Sequence, residues 1–490
     1  MQADVLPLSH CRVPAEPLDP GDVVPMPRAR VDGAGGTLSV AVPRILLTAT
    51  LRWPIAARLA IAFGNLGCRV EVACPRGHPA THTRAVRRVH VYATVRPLES
   101  LREAIAAASP DLVIPCDDSA AVHLAELHRQ SVLPGAGNDA MCALLLRSLG
   151  DPQACALATA RGRFMQLAAG EGVRVPPTDI VNSANDLLAL LAQRPMPQVL
   201  KIDSTWGGLG VAIVRNRDEA RRLFDQMASR PRLRTALVRM LLDRDPSHLL
   251  SCLKAAPRTV TMQAFVPGTP ANRAVACWQG QVLAGISVAA VRTRDRTGPA
   301  TVVEVIDNAE MAEAARRLVK RLGLSGLWGI DFVLDATTGA AYTIEMNPRA
   351  TPICHLPLGP GRDLVAALVT RLTGVAPALP TRPIAHERIA MFPGEWERDP
   401  ASLHLQADHH DVPWDEPALV RDGIDRPWCE RGLLARLWGR LRPLLRAASR
   451  RGSAVGPATP MPVCVSEQTL PQARTTTDSS SLSRPTGPST

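Results

Sequence analysis

Two acids and an amide near residue 340 carry the strongest chemical pattern in the sequence. Trp328-Gly-Ile-Asp-Phe-Val-Leu-Asp335 and Ala341-Tyr-Thr-Ile-Glu-Met-Asn-Pro-Arg349 are largely apolar runs separated by Ala336-Thr-Thr-Gly-Ala340. If those five residues form a hairpin loop, opposed residues have numbers summing to 676, which sets Asp331 opposite Glu345. Opposed side chains share a face about 5 Å apart, and Asn347, two residues beyond Glu345, points the same way. Phe332, Leu334, Tyr342, Ile344 and Met346 then fill the other, core-facing side. Two carboxylates that close repel unless a cation lies between them or one is protonated. An oxygen-only set of Asp, Glu and Asn suits magnesium or manganese and leaves positions for water and phosphate. The alternative is a surface hairpin with incidental acids, since a register slip of one residue would scatter the set.

A second group lies upstream. Only three of the 56 basic residues are lysines, and one of them, Lys201, ends the short apolar run Val199-Leu-Lys201. Asp203-Ser-Thr-Trp-Gly-Gly-Leu-Gly210 follows, then Val211 to Val214. A glycine-rich turn lets backbone N–H groups approach phosphate oxygens, while a cation at the preceding strand end neutralises them. No lysine and hydroxyl follow the glycines, so this is not a Walker A loop. Alone, such a turn is also an ordinary hairpin feature.

Positioning these groups needs two kinds of scaffold. Arg44–Thr48, Cys68–Cys74 and Asp111–Pro115 read as buried strands, alternating with helices at Pro54–Leu66 and Leu98–Ala108. Strands separated by such helices imply a parallel sheet, so a small α/β domain is expected over residues 41–150. Then the texture changes. Helices at Arg161–Gly172 and Ala184–Gln193 precede strands at Gln198–Ile202, Val211–Val214, Val260–Phe265, Arg273–Trp278 and Gln281–Ala289. The helix Glu310–Leu322 carries Met311, Ala315, Leu318, Val319 and Leu322 on one face. With the hairpin, these predict an α+β domain over 151–378 and a C-terminal extension over 379–428. In that extension Arg388–Phe392 reads as a strand, and His404, His409 and His410 read as solvated loop residues rather than a metal cluster. Residues 429–451 interleave leucines with Arg436, Arg440, Arg442 and Arg446. They predict a basic amphipathic helix, either docked on the chain or making peripheral contact with an anionic membrane. Residues 1–40 and 452–490 are expected to be disordered.

Composition narrows the classes. A chain of 490 residues has room for two or three domains with a substantial core. Aromatic residues make up 3%, too few for base-stacking platforms, and the +11 charge is dispersed apart from a C-terminal cluster, so no nucleic acid partner is expected. The 11 cysteines include no CxxC pair, which argues against a disulfide framework or structural zinc. The N-terminus lacks signal-peptide order and no apolar run reaches about 18 residues. A cytoplasmic location is therefore expected, and a homodimer is compatible with the sequence.

Taken together, residues 155–378 resemble the ATP-grasp superfamily. Lys201-Ile-Asp-Ser-Thr-Trp-Gly-Gly-Leu-Gly-Val211 resembles its second phosphate lysine and its glycine-rich flap, with Gly207, Gly208 and Gly210 as the flap glycines. Gln263-Ala-Phe-Val-Pro-Gly268 resembles the hinge that reads adenine, through Gln263, Phe265 and Val266. Asp331 with Glu345-Met-Asn-Pro-Arg349 is similar to its metal pair, its asparagine and its phosphate-holding arginine. Residues 44–150 look like the α/β domain that precedes ATP-grasp in carbamoyl-phosphate synthase and carboxylase subunits. The resemblance implies ATP and magnesium as cofactors, with Lys201 and Arg349 in catalytic roles. It also implies a ligase reaction in which a substrate carboxylate becomes an acyl-phosphate and is captured by an amine or thiol.

Three departures stand out. Arg161 occupies the place of the first phosphate lysine, and an arginine can hold phosphate in a planar mode. Pro270 occupies the spacing of the acid that usually holds the ribose, with Asn272 as its nearest substitute. Ala350-Thr-Pro-Ile-Cys-His355 lacks the glutamate of biotin carboxylases, which sets biotin carboxylation aside. Arg273, Arg292, Arg294, Arg296 and His355 are candidates for substrate specificity, although Arg292 to Arg296 read as a solvated polar loop. Two other functions stay open. One is a nucleotide-binding scaffold at a membrane surface; the other is a Rossmann oxidoreductase, disfavoured because the glycines near 207 join strands rather than open a helix.

Overall fold

Alternation decides the first sheet. In the computed structural model β1 (Arg44–Thr48), β2 (Arg69–Cys74), β3 (Val86–Val91) and β4 (Leu112–Pro115) run parallel in the order β3-β2-β1-β4. Ile45 and Leu47 enter one core with α1 (Ile55–Asn65). Leu46 enters another with α2 (Pro97–Ala108), α3 (Asp118–Ser131) and α4 (Asp139–Leu149). A strand covered on both faces needs no polar residues, which is why these segments read as unbroken apolar runs. β3 escapes that pattern because it is an edge strand, with Arg87 and Arg88 exposed.

Two mainly antiparallel sheets follow. The smaller comprises β5 (Thr178–Val181), β6 (Gln198–Ile202), β7 (Val211–Val214) and β8 (Val260–Ala264), ordered β5-β8-β6-β7. α7 (Ala184–Gln193) and α8 (Arg217–Ala228) back it through Leu187, Leu191 and Phe224. The larger comprises β9 (Gly268–Trp278), β10 (Gln281–Thr293), β11 (Ala300–Ile306), β12 (Gly326–Asp335), β13 (Ala341–Asn347), β14 (Arg388–Met391) and β15 (His409–Asp411). Its order is β13-β12-β9-β10-β11-β14-β15. One face packs Trp328, Ile330 and Phe332 against α5 (Pro152–Thr159), α6 (Arg161–Gly170) and α9 (Ala309–Arg321), whose stripe from Met311 to Leu322 enters this core. Truncating a buried aromatic such as Phe332 to alanine costs about 3–5 kcal/mol. On the other face, Leu327, Ala274, Ile286 and α10 (Leu364–Thr373) share one core with Ile45, Leu59 and Phe63 of the first domain. That face therefore opens toward the first domain's loops.

The structure describes residues 42–133, 139–203, 210–229, 259–295, 298–378 and 383–425. Contacts divide the chain between Arg436 and Leu437, and every described residue lies before that point. The expected helix at 429–451 and both terminal segments expected to be disordered lie outside the described residues. Among the described residues no helix is long and apolar enough to cross a membrane.

Some expectations need correction. The β9–β10 hairpin continues past its apolar core, so Arg292, solvated as expected, is a strand residue opposite Val302 rather than part of a loop. Arg294 pairs with Glu397, and Arg296 lies outside the described residues. His409 and His410 sit half-buried on β15, paired with Ile389 and Ala390 of β14, and are not loop residues. In each case backbone pairing with a neighbouring strand continues where side-chain alternation has stopped, so periodicity alone places the strand end too early.

Candidate active site

Loop and bulge together set the register of the acids. Gly329 lies opposite Asn347, Ile330 opposite Met346 and Asp331 opposite Glu345. Between Asp331 and Phe332 a bulge shifts the pairing, with Ile344 as the extra residue. An extra residue reverses the alternation beyond it. Ala341 and Thr343 therefore take the buried side expected for Tyr342 and Ile344, and Tyr342 emerges beneath the Arg174 guanidinium, 5.6 Å from its ring centroid. Next to the loop the paired residue numbers sum to 675, which alone would set Asp331 opposite Ile344; the bulge brings Glu345 opposite it.

Asp331 is held by two amides. Asn272 Nδ2, from β9, donates to Oδ1 at 2.6 Å, and Asn347 Nδ2 donates to Oδ2 at 3.0 Å. Burial and then the Glu345 charge push the Asp331 carboxyl above its ordinary value, while the two amides and Arg349 pull it back. A buried carboxylate raised by a second carboxylate is the donor chemistry that a divalent cation relieves. Among the described residues no group of three or more His, Cys, Asp or Glu side chains is arranged to hold a metal. The fit thus rests on two carboxylates plus amide oxygen, which leaves phosphate and water to complete the set. Asn347 turns Nδ2 toward Asp331 and Oδ1 toward Arg349 Nη2, at 3.1 Å, so bringing that oxygen to a metal beside Asp331 requires the amide to rotate.

Cations approach from β6 and from the first residue of α6. Lys201, buried on β6, donates to the Ile344 carbonyl at 3.3 Å. Burial lowers it to about 8, against the opposing charge of Glu345. Arg161 opens α6 and reaches Glu345 Oε1 at 2.7 Å, while its Nη1 donates to the Ile202 carbonyl. Its backbone N–H donates to Asp203 Oδ1 at 3.2 Å. Gly210 has φ +73°, a left-handed conformation natural to glycine; Gly207 and Gly208 lie outside the described residues. Phe265 and Val266 are half-buried in the short link from β8 to β9, which joins the two sheets. Gln263 is buried in the smaller sheet, where its Nε2 donates to Thr178 Oγ1 at 3.1 Å.

The first domain supplies residues the sequence reading missed. Asp118 accepts from Arg349 Nε at 2.9 Å, and the Trp53 ring lies 4.5 Å from Arg349 Cζ. Asp117-Asp118 follows β4 directly, and the carboxyl ends of parallel strands are where α/β sheets place their ligands. That position was the available signal.

Residues 166–352 match the ATP-grasp domain family. That stretch is an ATP-grasp domain. The arginine-specific large chain of carbamoyl phosphate synthase from Geobacillus stearothermophilus is 25% identical over 341 residues, which is 68% of this chain and 30% of that relative. The carbamoyl phosphate synthase large chain of Thermus thermophilus is 23% identical over 291 residues, 58% of this chain and 26% of that one. The chain thus spans under a third of these curated relatives. Among solved structures, the biotin carboxylase domain of Hydrogenobacter thermophilus 2-oxoglutarate carboxylase, in complex with MgADP, ADP and bicarbonate, superposes with a TM-score of 0.50 at 16% identity. That match covers 68% of this chain and 70% of the other, and it shows the fold alone.

Several candidate specificity residues lie apart from the acids of the ATP-grasp domain. Arg273 pairs with Ile330, on the face opposite Asp331, and donates to Ser287 Oγ at 2.7 Å. His355 is buried against Asp411 at 2.8 Å and Arg58 at 3.2 Å, and burial lowers its imidazole. Asn272 bonds Asp331 rather than standing in for the ribose acid.

Proposed function

We propose that this ATP-grasp protein is an ATP-dependent ligase that activates a substrate carboxylate as an acyl-phosphate and joins it to an amine or thiol. The observation that carries the reading is the convergence of Arg161 and Lys201, from one side, on the strand pair that presents Asp331 and Glu345, with the Arg161–Glu345 contact at 2.7 Å. The relatives' product, carbamoyl phosphate, is itself an acyl-phosphate, which supports this reaction class.

ATP would lie between the two antiparallel sheets, its adenine against Gln263, Phe265 and Val266. Arg161 and Lys201 would neutralise its phosphates, beside the glycine turn that ends at Gly210. Asp331, Glu345 and a rotated Asn347 would hold magnesium, which when bound offsets charge on the β- and γ-phosphates. Arg349 would orient the γ-phosphoryl group while a carboxylate oxygen attacks it. The new O–P bond forms as the bond to the ADP oxygen breaks; the nucleophile then adds at the acyl carbon and phosphate leaves. Catalysis of this kind is chiefly positioning and charge stabilisation by groups already in place.

The test is ADP release from MgATP across mixtures of carboxylates with amines or thiols. Glu345→Gln is expected to lower the rate at least about a hundredfold, because it removes a metal charge from the transition state. A near wild-type rate in that variant overturns the assignment. Tight ATP binding without ADP release from any mixture favours the scaffold instead.

A further inference from the structure

Trp53 and Asp118 lie outside both sheets of the ATP-grasp body, yet both touch Arg349. Nε donates to Asp118 at 2.9 Å, Nη2 to Asn347 Oδ1 at 3.1 Å and Nη1 to the Ala350 carbonyl at 3.3 Å. A guanidinium is a plane with five N–H groups in fixed directions. The Trp53 ring restrains the plane, and the three bonds fix its rotation within the plane. Two N–H groups, one on each terminal nitrogen, are left without a partner among the described residues.

The two first-domain groups do not move independently. Asp117, fully buried at the N-cap of α3, accepts from Thr50 N at 2.5 Å, Thr50 Oγ1 at 2.8 Å, Leu51 N at 3.0 Å and Ala120 N at 2.9 Å. This one carboxylate ties the loop bearing Trp53 to the helix bearing Asp118. The Ala350 N–H, next to Arg349, donates to the Pro115 carbonyl at the end of β4, at 3.1 Å. Domain packing alone needs apolar burial; it does not need a carboxylate at the edge of a guanidinium and an indole against its face.

We propose that Asp118 and Trp53 are positioning residues for Arg349, aiming its two remaining N–H groups at the phosphoryl group in transfer, so that the first domain completes the site. This rests on the ligase reading above.

Fluoroaluminate, which takes the place of a phosphoryl group in transit beside MgADP, is the probe. Calorimetry measures the Kd of MgADP with and without it, and separately the Kd of magnesium AMP-PNP. In the wild type fluoroaluminate tightens MgADP binding. In Asp118→Ala and Trp53→Leu that gain falls at least about tenfold, since a displacement of about 1 Å costs that much or more. AMP-PNP affinity stays within about twofold, because the two residues aim Arg349 at the group in transit, and only interactions stronger there than in the bound ground state are lost. Trp53→Phe keeps a flat face and retains most of the gain, and the isosteric Asp118→Asn serves where the alanine variant does not fold. An undiminished gain in both truncations, no gain in the wild type, or parallel losses of Tm, AMP-PNP affinity and the gain, each overturns the proposal. A wild type that binds no AMP-PNP overturns instead the nucleotide reading beneath it.

Discussion

Removing the Arg161 guanidinium should raise the affinity of the nucleotide-free protein for a divalent cation. Arg161 Nη2 lies 2.7 Å from Glu345 Oε1, with side-chain exposures of 6% and 24%. The guanidinium and an incoming cation therefore compete for one carboxylate. A hydrogen bond between charged groups contributes about 1.5–3 kcal/mol net, and about 1.4 kcal/mol is a tenfold change in affinity. Arg161→Gln should thus tighten Mn2+ binding roughly 10- to 100-fold without nucleotide, read from the electron paramagnetic resonance of free Mn2+. Lys201 remains near the same acids, so the repulsion it opposes is not fully exposed. Arg161→Lys keeps the charge and should gain little. Equal Mn2+ affinity in folded Arg161→Gln and wild type refutes the reasoning. It would mean that the ion pair does not limit access to Glu345.

Lys201 and Asp117 carry the remaining predictions. Lys201, brought to about 8 mainly by burial, carries its charge below that pH and loses it above. ADP affinity should therefore fall between pH 7 and 9, and Lys201→Arg should flatten that step in calorimetry. For folding the sign is opposite: the native state gives up this proton before the unfolded chain does. Stability should therefore rise as pH climbs from about 8 toward the ordinary lysine value of 10.5, a rise that Lys201→Met removes from denaturation curves. Asp117→Ala leaves buried donors from Thr50 and Leu51 unmatched. It should cost about 3 kcal/mol, seen as a Tm loss of at least about 5 °C; an unchanged Tm would show that water replaces the carboxylate.

What the sequence by itself determined is local. Alternating apolar residues marked the two strands and their turn, but Leu334 rather than Asp335 pairs with Ala341, and the Ile344 bulge is what sets Asp331 against Glu345. The apolar runs at Ile45–Leu47 and Leu112–Ile114 declared a sheet buried on both faces. The apolar run ending at Lys201 marked a strand, and β6 ends one residue beyond it. Only tertiary structure decided the partners. Arg161 meets Glu345 across 184 residues and Asp118 meets Arg349 across 231, and no spacing rule reaches that far. The Ile344 bulge, the direction of the Asn347 amide and the turn of Asn272 toward Asp331 were likewise settled by packing. Backbone periodicity tells a residue which face it occupies, but the group waiting opposite that face is chosen by how separately formed sheets come together.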